Sequence, residues 1–73
     1  MAFEFDMSKD FAFESGTLFI CDFPLPECST SLIFRVIGFL IEYFSGDLYG
    51  EPAEIMGACL LELEERYSEM RMR

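Results

Sequence analysis

Residues 32–44 read LIFRVIGFLIEYF, and this run sets the tightest limit on what the chain can fold into. Ten of its thirteen residues are aliphatic or aromatic; Arg35, Gly38 and Glu42 are the exceptions. Together with Ser31 and Ser45 these polar positions recur at steps of four, three, four and three, so on a helix they line one narrow stripe. The remaining circumference, roughly three quarters of it, is apolar and must be covered on more than one side. A membrane span takes about 20 apolar residues, or 17 at the least, and this run falls short. It carries two charges, and no basic cluster flanks it. The expected element is therefore the central helix of a domain in water, over about residues 30–45, with no membrane role.

The rest of the chain supplies two covers for that helix. In AFEFD, Phe3 and Phe5 alternate with Glu4 and Asp6; in DFAFES, Phe11 and Phe13 alternate with Asp10, Ala12 and Glu14. A period of two marks half-buried strands. MSKD at 7–10 and Ser15-Gly16 read as turns. TLFICDF at 17–23 is apolar on both faces, as a central strand covered on both sides would be. Pro24 and Pro26 then stop the sheet, and Ser29, Thr30 and Ser31 are all suited to N-cap a helix. SGDLYGEP at 45–52 ends that helix. Pro52, with Glu51 and Glu54 near the positive helix end, opens a second one. Met56, Cys59, Leu60, Leu63, Tyr67 and Met70 follow at three- and four-residue steps and predict its buried stripe. Glu62–Arg66 and Glu69–Arg73 are i,i+4 pairs. The expected fold is a single α+β domain over residues 1–73. An N-terminal antiparallel sheet of two or three short strands, within 2–23, packs on two C-terminal helices at about 30–45 and 52–71.

Charge is the second constraint. Fourteen acids face five bases, for a net charge of −9. Before residue 66 thirteen acids face only Lys9 and Arg35. With 52% hydrophobic residues and nine Phe the chain is nevertheless not a disordered polyanion. Such a body repels nucleic acid and anionic lipid and attracts basic surfaces. Direct nucleic-acid binding is not expected, and Arg66, Arg71 and Arg73 are read as serving the helix end and solubility. The three cysteines, Cys21, Cys28 and Cys59, are odd in number and lack CxxC spacing. They read as reduced thiols of a cytoplasmic protein, and no secretory leader is visible at the start.

Catalysis has little to build on. The chain contains no His, Asn, Gln or Trp, so the commonest general base and metal ligand is missing. Neither a phosphate-binding glycine loop nor a zinc or calcium ligand set appears. The expectation is a non-enzyme with no cofactor and no metal.

What remains is the one-signed surface. Carboxylates at i and i+2 of a strand lie about 6–7 Å apart on one face, close to the step of phosphates along a nucleic-acid backbone. Glu4 and Asp6, continued by Asp10, Glu14 and Asp22, form one candidate row. Glu54, Glu62, Glu65 and Glu69, with Glu64 nearby, form another on the second helix. Asp47 and Tyr49 in the SGDLYGEP loop complete the candidate partner-binding set. The partner expected from this pattern is the basic nucleic-acid-binding surface of a protein or ribonucleoprotein complex.

In size, charge and strand-then-helix order the chain resembles the small acidic proteins that phages encode against host defence: DNA mimics, anti-CRISPR proteins and inhibitors of DNA-repair enzymes. That resemblance implies an inhibitor, with a CRISPR effector as its target class. Locally, FESGTLFICDFPLPE at 13–27 looks similar to uracil-DNA glycosylase inhibitors, in which Glu-Ser sits on an edge strand that enters the enzyme's DNA cleft. The match departs from that family by an inserted stretch between its two pieces. It implies a role for Glu14 and Ser15. A different class of function stays open beside these: a small structural or adaptor subunit, or a homodimer, docking through the first helix by Phe34, Phe39 or Phe44.

Overall fold

The computed structural model describes residues 5–45 and 47–71. The order of elements is β1 (Phe11–Glu14), β2 (Thr17–Ile20), β3 (Phe23–Pro24), a single 3-10 turn (Leu25–Glu27), α1 (Thr30–Phe44) and α2 (Glu51–Arg71). The strands form an antiparallel meander in the order β1-β2-β3, so the fold is α+β with the sheet preceding the helices. Glu14 pairs with Thr17 and Ile20 with Phe23, which leaves two-residue loops at Ser15-Gly16 and Cys21-Asp22. All four loop residues have positive φ. Two such residues in a row are the signature of a type I′ turn, whose twist matches that of the strands it joins.

The second of these loops corrects the reading of TLFICDF as one strand. The chain reverses at Cys21-Asp22, with φ of 51° and 71°. Asp tolerates the left-handed region; Cys enters it at a cost of about 1–2 kcal/mol. Nor is the sheet covered on both sides. Leu18 and Ile20 are buried on one face, whereas Phe19 is half-buried and Phe23 exposed. The proposed strand at 2–6 lies outside the described residues up to Glu4, and Phe5 and Asp6 are not in a strand. Asp6 instead organises the turn at 7–10. Its carbonyl accepts from the Lys9 and Asp10 N–H groups, and its carboxylate from the Ser8 N–H and hydroxyl.

Helix α1 starts where Ser29 accepts a hydrogen bond from the Leu32 N–H at 3.1 Å, a side-chain N-cap. It ends at Ser45 in the left-handed conformation. Its buried side is Ile33, Val36 and Leu40, joined by Phe39. These pack with Leu18, Ile20, Leu25 and Cys28 on the sheet side and with Ile55 and Cys59 of α2. Phe5, Phe11 and Phe39 meet at ring-centroid distances of 5.4–6.3 Å and close one end of this core.

The axis of α2 runs antiparallel to α1, since Arg66 near its end bonds Thr30 at the start of α1. Its core face differs from the stripe read off the sequence. Ile55 and Cys59 are the fully buried positions, Met56 and Leu63 are half-buried, and Leu60, Tyr67 and Met70 are exposed. The contact line lies one flank away from the stripe that the three- and four-residue steps predict, because it runs through Ile55 and does not reach Tyr67 and Met70. No helix among the described residues is long and apolar enough to cross a membrane.

Candidate functional site

The acids of α2 form the most ordered group of charges. Glu51, Glu54, Glu62, Glu65 and Glu69 follow at steps of three, eight, three and four. At 3.6 residues per turn they share about a quarter of the helix circumference, over about 27 Å of axis. Glu51, Glu54, Glu65 and Glu69 are exposed and Glu62 is half-buried. They ride on one unbroken helix of 21 residues, so their order along the axis is fixed by the backbone.

The cation that sequence spacing places in this row does not face outward. Arg66 is held at the α2 side by Glu62, Nε to Oε2 at 2.8 Å. Its Nη1 donates to the Thr30 hydroxyl at 2.9 Å. Its Nη2 donates to the Cys28 carbonyl at 2.7 Å and reaches the Leu25 and Pro26 carbonyls at 3.3 and 3.4 Å. These carbonyls belong to the 3-10 turn and the link into α1. A planar guanidinium with five donors can serve several carbonyls and a carboxylate together, which an ammonium cannot. The Glu62–Arg66 pair was expected; its use as a tie between α2 and the 25–30 segment was not, because no local pattern signals a contact across some forty residues.

A shallow groove flanks the acid row. Gly16, Thr17 and Leu18 of the first hairpin and Leu25 and Pro26 line one side; Ala58, Leu61, Glu62 and Glu65 line the other. Glu14, the cross-strand partner of Thr17, is exposed at the end of β1, which is an edge strand. Phe13, expected inside, lines the same groove and is partly exposed. Two carboxylates, Glu62 and Glu65, thus line this concavity, and Glu14 is not among its lining residues.

The other proposed row lies only in part within the described residues. Glu4 lies outside the described residues, as does the Arg73 partner proposed for Glu69. The Asp10 carboxylate accepts from the Asp6 N–H at 2.7 Å, and Asp6 is engaged by Ser8. That engagement, above all the Ser8 hydroxyl, holds the Asp6 carboxyl below its ordinary value of 3.8. Both side chains serve the turn, and Glu14 is separated from them along β1. Asp22 is exposed in the second tight turn, and Asp47 and the strongly exposed Tyr49 lie in the link between the helices.

Apolar side chains are exposed on the opposite flank of α2 and on α1. Phe34 is 59% exposed, Ile41 51%, Leu60 52%, Tyr67 62% and Met70 72%. Thr30, Phe34, Leu63, Arg66, Tyr67 and Met70 line a groove between the two helices. Of the three Phe proposed for docking, only Phe34 is exposed; Phe39 is in the core and Phe44 is half-buried. Ile41, which stands two turns along from Phe34, carries no distinguishing sequence signal among so many apolar neighbours.

Among the described residues no three His, Cys, Asp or Glu side chains are grouped so as to hold a metal ion. The thiols are free, Cys21 exposed and Cys28 and Cys59 buried. Burial pushes the Cys59 thiol up to about 11. Comparison with protein-family models, curated proteins and solved structures finds no match for the chain.

Proposed function

We propose that the protein is a non-catalytic inhibitor that presents the α2 carboxylates to a basic, nucleic-acid-binding surface of a protein or ribonucleoprotein complex and competes there with nucleic acid. The observation that carries this reading is the one-signed row Glu51, Glu54, Glu62, Glu65 and Glu69, from which the neighbouring cation Arg66 is withdrawn into the fold. An ordinary exposed helix mixes signs along its surface. Charges carried on a rigid helix attract a cationic cleft with no backbone ordering cost, and the attraction is screened by salt. Size and net charge suit a CRISPR effector as the target class, with the protein acting in the cytoplasm of the host cell.

The uracil-DNA glycosylase reading keeps one specific support: Glu14 and Ser15 stand at the tip of an edge-strand hairpin whose Gly16 and Thr17 line the groove that Glu62 and Glu65 also line. A uracil-excision assay separates the two targets.

The test uses a partner captured from the host cell and a labelled duplex competing for it. Wild type displaces the duplex, and its affinity falls steeply as salt rises. Glu54→Lys, Glu65→Lys and Glu69→Lys together weaken competition by about 100-fold or more, since like charges facing each other cost several kcal/mol. All three positions are exposed, so the fold should survive, with the main cost, about 0.3–1 kcal/mol, coming from Glu54→Lys in the first turn of α2. Affinity that is flat in salt, or full competition by the triple variant, counts against the α2 row.

A further inference from the structure

We infer that the exposed apolar face of α1 and α2 is the interface of a two-fold homodimer. The face is continuous. Phe34, Tyr67 and Met70 line one groove, and Ile41 and Leu60 continue it two turns further along the antiparallel helix pair. A whole large side chain presents roughly 150–250 Å². At the exposures given above, these five leave on the order of 500 Å² of apolar surface in water. That is at the upper end of what a lone monomer shows. About two thirds of a homodimer interface is non-polar, so this matches the apolar share of the roughly 800 Å² that each partner contributes to a standard interface.

Charge selects the occupant. Read at 3.6 residues per turn, the flank carrying Leu60, Tyr67 and Met70 lies roughly 150° around α2 from the acid row. A cationic partner would meet only the single carboxylate of Glu64 near this flank, not a row. A second copy of this chain brings an identical apolar face, as a two-fold interface requires, and leaves both acid rows on the outer sides, where they repel least. Two antiparallel helix pairs meeting in this way form a four-helix layer, an arrangement that covers apolar flanks of both helices at once.

The experiment is sedimentation equilibrium of the full chain under reducing conditions, from micromolar to millimolar protein, at low and high salt. The expected mass is twice the 8.5 kDa of one chain, and it holds at high salt because apolar burial is not screened. Phe34→Glu and Tyr67→Glu each raise the dissociation constant by roughly 30-fold or more, as interface anchors do, while circular dichroism keeps the helix signal. Should either variant lose that signal, Ile41→Lys and Leu60→Lys at the other end of the face ask the same question. The charge-reversed α2 variant keeps the dimer mass, so this inference and the proposed competition with nucleic acid fail or stand separately. A mass of 8.5 kDa at every concentration overturns the dimer and leaves the face to an unlike partner. A dimer that survives all four substitutions overturns the choice of face.

Discussion

Arg66 joins three parts of the chain through one side chain. Glu62 holds it on its own helix, Thr30 ties it to the start of α1, and the Cys28 carbonyl ties it to the link that leaves the sheet. Replacing it by Lys keeps the charge but loses the fork, so several carbonyls are left without their donor. Arg66→Lys should cost about 2–3 kcal/mol, the scale of charge-assisted hydrogen bonds, read as a lower urea midpoint. A loss under about 0.5 kcal/mol, the size of an isolated exposed i,i+4 pair, would mean that only Glu62 matters. The sequence shows that pair plainly, because its spacing is local. It shows nothing of the contacts to residues 25–30, because they arise only when the helices pack. Cys21 was opaque in the same way: a Cys in the left-handed region has no propensity signal, and only the strand register on either side of it forces the turn.

At the level of elements, period and punctuation are enough for α1 and for the turn at Ser15-Gly16, but Pro24, expected to stop the sheet, still pairs with Phe19 in β3. They failed where one apolar run serves two structural purposes. TLFICDF is two strands and a turn, and every residue of it except Asp22 is compatible with a strand interior. The spacing misplaces the stripe on α2 because that helix has apolar residues both on its core line and on a flank that stays exposed. Gly38 is a clearer case. It sits within α1, and a Cβ built on it meets nothing within 4 Å. No close approach of another backbone requires glycine there, so the helix carries its flexibility without a packing return. Gly38→Ala should raise stability by about 0.5–1 kcal/mol, measured as an increase in thermal midpoint. A decrease would show that the stripe is covered in solution, for instance by the second copy, and that the glycine is needed in that contact.

The whole molecule combines a small core with ionisable groups that bound its stable range. Two groups give the signs. The Asp6 carboxyl is held below 3.8, so its contribution is present above that value and is lost as pH falls below it. Cys59 is raised from 9.0 to about 11, so its neutral thiol contributes stability that is full below pH 9.0 and lost as pH rises through 11. The urea midpoint should therefore be level through neutral pH and decline on the alkaline side. Cys59→Ala, although it opens a small cavity, should flatten that alkaline decline; an unchanged slope would assign it to other groups. The arrangement of Arg66 has a consequence for genetics as well. Any change that frees its guanidinium, at Thr30 or in the backbone of 25–28, would loosen the fold and also return a positive charge to the edge of the acid row. A screen for lost binding would then recover Thr30 beside the glutamates, although Thr30 lies on another helix. Suppressors would cluster at position 66 itself, where an uncharged side chain restores the sign of the surface without restoring the tie.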